Sequence, residues 1–171
     1  ASLAAPRIVR VEDGFLRSRG LGAALVPPLS VVADDLGIYY DPARPSRLET
    51  LVASPCSAWA AARAERLIAR LTRSGLSKYN LDADAIPDLP KGYRILVPGQ
   101  VEDDASIRLG TGEVRTNLGL LQHVRAANPD AVVIYKPHPD VEAGLRPGTI
   151  AEKSALGFAD RVAGRTDPVQ M

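Results

Sequence analysis

One unit in this chain restricts its fold more than any other feature. An apolar β-type run leads into a carboxylate-rich loop, a helical pattern follows, and a second apolar β-type run ends in a His-Pro loop. The first run is Ile95-Leu96-Val97, continuing into Pro98-Gly99-Gln100-Val101-Glu102-Asp103-Asp104-Ala105-Ser106. Thr116 to Ala127 reads as the helix, and Ala131-Val132-Val133-Ile134 leads into Tyr135-Lys136-Pro137-His138-Pro139-Asp140. Strand, crossover and strand in this order predict two neighbouring parallel strands joined right-handedly. Ligands of open parallel sheets bind beyond the carboxyl ends of the strands, so the two loops are expected to share one crevice.

The rest of the chain is consistent with an α/β protein. At 171 residues it is long enough to bury a core. Its 21 basic and 20 acidic residues are interspersed and leave a net charge of +1, which gives no footprint for nucleic acid. No apolar run approaches the roughly 20 residues of a membrane-spanning helix. Cys56 is the single cysteine, so no internal disulfide forms; a lone thiol fits a reducing cytosol, and a cytoplasmic location is expected.

Along the chain, Arg7 to Val11 predicts a strand running into the turn Glu12-Asp13-Gly14. Leu29 to Ala33 and Gly37 to Tyr40 read as a hairpin around Asp34-Asp35. Ser46 and Glu49 have capping-box spacing at a helix start. A long helix is expected from Pro55 to Arg73, capped by Ser54, with Ala60, Ala61, Ala64, Leu67, Ile68 and Leu71 forming an apolar stripe. Residues 80–92 read as a linker. The division is then 1–90, the end of an N-terminal α/β half with hairpin and long helix, and 91–171, the start of a C-terminal Rossmann-like half. The polar end, Asp167 to Met171, suggests a piece of a longer protein.

Several side chains have more than one reading on spacing alone. Glu102-Asp103-Asp104 is a solvated loop or a carboxylate site, and Asp103 and Asp104 with His138 and Asp140 have the donor set of a metal site. His138 is a ligand contact or a structural cap, and His123 lies mid-helix as a surface residue. Tyr39-Tyr40 read as core. Arg17 and Arg19 are solvated charges or anion contacts.

The residues Val11-Glu12-Asp13-Gly14-Phe15-Leu16-Arg17-Ser18, Val26-Pro27-Pro28-Leu29-Ser30-Val31-Val32, Gly37-Ile38-Tyr39-Tyr40-Asp41 and Leu76-Ser77-Lys78-Tyr79-Asn80-Leu81 carry a further signal. With the two loops above, they resemble the capsular polysaccharide synthesis and export family. Within it they look like the β-Kdo transferase modules that build the poly-Kdo linker of capsule, and most like the second of two tandem modules. The resemblance implies a GT-B-like arrangement of two Rossmann-like halves, the second incomplete here, with CMP-Kdo between them. It implies transfer with retention to a lipid-linked Kdo acceptor, through a sugar adduct on an aspartate. The family's Gln-x-x-x-Asp pattern falls on Gln100 and Asp104, its His-Pro pair on His138 and Pro139, and its Glu-Asp-Gly turn on Glu12 and Asp13.

Kdo carries its own carboxylate, so a carboxylate nucleophile needs basic or hydrogen-bonding neighbours. Lys136 is the candidate beside the donor; Arg17, Arg19 and Arg108 are candidates for an anionic acceptor. No metal and no further cofactor are implied. The implied partners are CMP-Kdo, the lipid-linked acceptor and the capsule assembly and export machinery, with a peripheral place at the inner membrane. One departure stands out: Gly157-Phe158 is followed by Ala159-Asp160, without the Thr-Ser…Gly-Phe-Glu-Ala-Leu segment expected to bind nucleotide. The donor site is therefore expected to be incomplete, the His-Pro strand to keep an open edge or an apolar face, and the piece to self-associate or to be poorly ordered after about residue 145. A non-catalytic adaptor in capsule assembly and a metal-dependent hydrolase are the alternatives.

Overall fold

The computed structural model describes residues 8–81 and 88–164. Among these the order is β1 (Arg10–Asp13), β2 (Val31–Asp34), α1 (Arg47–Ala53), α2 (Ala58–Arg73), β3 (Arg94–Pro98) and α3 (Ala105–Gly110). There follow α4 (Asn117–Ala127), β4 (Val132–Lys136), α5 (Pro139–Glu142), α6 (Glu152–Ala155) and β5 (Arg161–Val162). The fold is mixed α/β, with an antiparallel pair β1–β2 and a three-stranded parallel sheet of order β3-β4-β5. Of the expected linker, residues 82–87 lie outside the described residues, as do Arg7 and the polar end from 165 onward.

The parallel strands pair as the unit predicted, Ile95 opposite Val133 and Val97 opposite Tyr135. Thr116 caps α4 by accepting the Gly119 amide at 3.1 Å. That helix lays Leu121 against Val97, Val133 and Tyr135, with Ala155 and Ala159 completing the buried cluster. Asp160 fastens the far side of the sheet. Its Oδ2 accepts the Val133 amide at 2.7 Å and the Arg125 guanidinium at 2.5 Å.

Two expectations about this half are corrected. β4 is the central strand, because Ile134 and Tyr135 pair with Arg161 and Val162 of β5, so the His-Pro strand has no open edge. Among the described residues after 145, Ala155, Ala159 and Ala163 are packed into the fold, at 1%, 4% and 1% exposed.

The N-terminal region departs further. β2 pairs with β1, not with Gly37–Tyr40, which forms no strand. The buried Asp34 carboxylate is the reason. Its Oδ1 accepts the Leu36 and Gly37 amides, each at 2.8 Å, and Oδ2 accepts the Arg47 amide at 2.7 Å. These bonds turn the chain out of the strand and tie it to α1. Ser46 and Glu49 form the expected capping box. The long helix begins later than expected: Ser54 ends α1, and Ser57 caps α2 by accepting the Ala60 amide at 3.2 Å. No α2 residue is buried, and Leu67 and Ile68 of its stripe are 46% and 63% exposed.

A long-range tie brings residues 78–80 under the N-terminal loop. The Arg17 and Gly20 amides donate to the Lys78 and Tyr79 carbonyls, both at 2.8 Å, and Asn80 Nδ2 donates to Ser18 O at 2.9 Å.

Candidate active site

β3 ends at Pro98 and passes close to β4 before turning outward. A Cβ on Gly99 would lie 2.8 Å from Tyr135 Oη and 3.0 Å from the His138 amide nitrogen, so the crossing requires glycine. Beyond it, Asp104 caps α3. Its Oδ1 accepts the Ser106 amide at 2.9 Å and the Ser106 hydroxyl at 2.7 Å. Burial favours the protonated acid, but the Ser106 bonds and the positive charge of Arg146 outweigh it and hold the Asp104 pKa below its ordinary value. Asp104 is therefore a carboxylate at neutral pH.

β4 ends in the second loop. His138 caps α5, its Nδ1 accepting the Asp140 amide at 3.2 Å, which assigns the ring proton to Nε2. Tyr79 meets the imidazole edge-on at 6.3 Å between centroids. Burial lowers the His138 pKa, with Asp140 opposing and Lys78 reinforcing the shift. The ring is neutral near pH 7 and a donor at Nε2.

The two loops open into one cavity of about 520 Å³, lined by Gln100, Asp104, His138, Asp140 and Arg146 from the parallel-sheet side. From the opposite side come Glu12, Asp13, Arg17, Tyr39, Tyr40, Lys78 and Tyr79. The shared crevice predicted from the strand order is thus present, and the N-terminal region closes it. Arg17 is 5% exposed; it pairs through Nε with Asp13 and donates through Nη1 to Val26 O at 2.7 Å. Glu12 Oε1 accepts the Asp13 amide at 2.8 Å. Burial raises the Tyr39 and Tyr40 phenol pKa values, and the charges of Glu12 and Asp104 push the same way. Both tyrosines line the cavity, in contrast to the core placement expected.

Of the residues singled out in the sequence, Glu12, Asp13, Arg17, Gln100, Asp104 and His138 therefore meet in one place. Four further candidates for donor or acceptor binding do not line it. Lys136, expected beside the donor, is 3% exposed, and its ammonium is taken up by Glu142 Oε2 at 2.6 Å and Pro137 O at 2.9 Å. Pro139 starts α5 behind His138. Arg19 and Arg108 are exposed outside the cavity. Arg146 was not foreseen: its Nη2 donates to Asp103 Oδ1 at 2.7 Å, and that pairing raises its pKa. Lys78 and Tyr79 stood only in a motif, with nothing in their spacing to show that the loop of residues 17–20 would carry them to the cavity. Among the described residues no group of three or more His, Cys, Asp or Glu is disposed to hold a metal ion. Asp103, the acid that the metal-site reading needs, is engaged by Arg146.

The fold agrees with that of known proteins to which the chain is similar. The family described as Capsule polysaccharide biosynthesis protein matches residues 2–81 and 60–163, and the chain belongs to that family. The Capsule polysaccharide modification protein LipA of Neisseria meningitidis serogroup B is 47% identical over 163 residues, which is 94% of this chain and 23% of LipA. The Lipopolysaccharide-processing protein LpsZ of Rhizobium meliloti is 50% identical over 143 residues, 80% of this chain and 32% of LpsZ. The chain therefore spans about a quarter to a third of these relatives. Among solved structures, the β-Kdo 2,7 transferase of Thermosulfurimonas dismutans KpsC superposes with a TM-score of 0.70 at 39% identity, covering 92% of this chain and 45% of that one. The β-Kdo 2,4 transferase of the same KpsC gives 0.73 at 31% identity, covering 94% and 56%.

Proposed function

We propose that this chain carries the catalytic cleft of a retaining β-Kdo transferase that draws on CMP-Kdo and extends a lipid-linked Kdo acceptor of capsule. The observation that carries the reading is the meeting of Asp104, His138 and the Glu12–Asp13–Arg17 cluster across one cavity. The likeness to two Kdo transferases supports the sugar. In this reading the chain divides near residue 90 into parts of the two halves of a GT-B-like enzyme.

In this reading Asp104 attacks the anomeric carbon of Kdo through Oδ2, the oxygen not engaged by Ser106. The bond to the cytidylate phosphate breaks, and its electron pair leaves with CMP. His138 donates from Nε2 to a phosphate oxygen and offsets charge on the leaving group. Gln100 positions the donor, and Arg17 and Arg146 balance the sugar carboxylate against the cluster of acids. In the second step an acceptor hydroxyl attacks the same carbon, its proton passes to a carboxylate, and Asp104 is released. Glu12 suits the proton transfer because Asp13 is held by the Arg17 guanidinium. Two inversions give net retention.

The test is incubation of the protein at its full natural length with CMP-Kdo and a short Kdo acceptor. Kdo transfer with CMP release is expected, and Asp104→Ala should lower the rate by roughly 1,000-fold or more, as loss of a nucleophile does. Normal turnover by that variant would end the assignment.

A further inference from the structure

We infer that Asn117, a residue of no assigned role, is the positioning residue of the acidic loop. This rests on the proposed role of that loop. Asn117 is the first residue of α4 and is 2% exposed. Its side-chain amide grips both backbone polar groups of Gln100, accepting from the Gln100 N–H at 2.8 Å and donating to the Gln100 carbonyl at 2.8 Å. The second Nδ2 hydrogen goes to Gly148 O at 2.8 Å, and the backbone N–H of Asn117 donates to Glu102 Oε1, also at 2.8 Å. Four bonds thus converge where β3 has run out and the sheet no longer dictates the course of the chain.

The arrangement is built around the amide. Gly148 has φ +127°, and a Cβ there would lie 2.8 Å from both Asn117 Nδ2 and Gln100 O. Only glycine lets the loop after α5 close over this contact. One helical turn on, Leu121 is fully buried in the core, so the amide is anchored to the rigid part of the fold. The side chain works as a short substitute strand: it supplies Gln100 with the donor and acceptor that a neighbouring strand would have given. It thereby sets the direction in which Gln100 to Asp104 leave the sheet. No atom of Asn117 needs to touch substrate for this.

Asn117→Asp keeps the acceptor for the Gln100 N–H and turns both donors into an oxygen facing two carbonyls. Assayed at full natural length with CMP-Kdo and a Kdo acceptor, this variant should lose kcat on the order of 100-fold, the effect of a small misplacement of reacting groups. Its KM for CMP-Kdo should stay within about threefold of the natural value. Thr116→Ala is the comparator: it removes the α4 cap, whose bond runs to Gly119, and leaves the Gln100 contacts in place. It should lower the thermal midpoint while keeping kcat. The inference is overturned if Asn117→Asp keeps its kcat, or if both variants lose kcat in proportion to their loss of thermal midpoint. It is also overturned if neither Asn117→Asp nor Asn117→Ser folds, since the residue would then serve folding alone. Asp104→Ala, run alongside, separates the two readings. If that variant turns over normally, the loop is not the reaction centre; if it is inactive while Asn117→Asp is not, only the role of Asn117 falls.

Discussion

In the proposed reaction the attacking carboxylate must stay ionised and must be aimed, and the Ser106 bonds suit Asp104 to both. The two Ser106 donors hold one oxygen and keep the acid in its charged form. His138 is held neutral by burial, ready to donate from Nε2. Both shifts are downward, so protonation of either group sets in only below its ordinary value, about 4 for Asp and 6.5 for His. The acid limb of kcat/KM should therefore have its midpoint below about pH 6.5. A midpoint above that value in a pH–rate profile would contradict the assignment of these two groups. Gly99 is the other residue with a sharp expectation. Gly99→Ala drives a methyl into Tyr135 Oη and the backbone at Pro137 and His138. It should cost about 1–3 kcal/mol in chemical denaturation, as overpacking does. At this scale the sequence was informative where chemistry and position coincide, at strand ends. It was silent on Asn117, Lys78 and Arg146, whose importance comes from chain segments distant in sequence.

The elements were legible in proportion to how local their causes are. The capping box at Ser46 and Glu49 and the helix after Thr116 follow from neighbouring residues, and both formed as expected. Ser46→Ala, which deletes a buried cap, should destabilise the protein by about 1–2 kcal/mol, measured as a shift in denaturation midpoint at constant slope. The hairpin failed because Asp34 has three amide partners and one of them, Arg47, lies far along the chain. The start of the long helix was misplaced because two serines compete as caps on either side of Pro55. Its stripe is only partly covered, with Ala60, Ala61 and Leu71 half-buried and Ala64, Leu67 and Ile68 exposed, so helical spacing was read correctly and its burial was not implied by it. Of the features expected to drive self-association, an open edge or an apolar face, α2 leaves Trp59 and Ile68 72% and 63% exposed. The sheet edge expected to provide it is paired.

For the molecule as a whole, charge placement sets the response to acid. Asp34, Glu49, Asp104 and Asp160 all have carboxyl pKa values lowered by folding: hydrogen-bond donors oppose burial at Asp34 and Asp104, the Ser46 bonds act at Glu49, and the Val133 amide acts at Asp160. A lowered folded pKa means that the unfolded chain binds the proton first. The stability these groups contribute is present above about pH 4 and is lost as the pH falls through their folded values. His138, also lowered, adds a shallow loss that begins below about pH 6.5. Denaturation across a pH series should show a gentle decline to about pH 4 and a steep one beneath it. A rise in stability between neutral pH and pH 5 would contradict this. At the same scale, the parallel pairing of β3 with β4 was legible because strand, helix and strand allow few topologies. The closing wall from residues 12–40 and 78–79 was not, because it depends on contacts between regions that no local pattern links.

The account rests on Asp104 forming a bond to the sugar. The most direct measurement is mass spectrometry of the protein at its full natural length after incubation with CMP-Kdo in the absence of acceptor, followed by peptide mapping. A Kdo residue attached to the peptide containing Asp104, lost on adding acceptor and absent from Asp104→Ala, is the predicted result. An adduct on another residue, or transfer that proceeds in the Asp104→Ala variant, would contradict it.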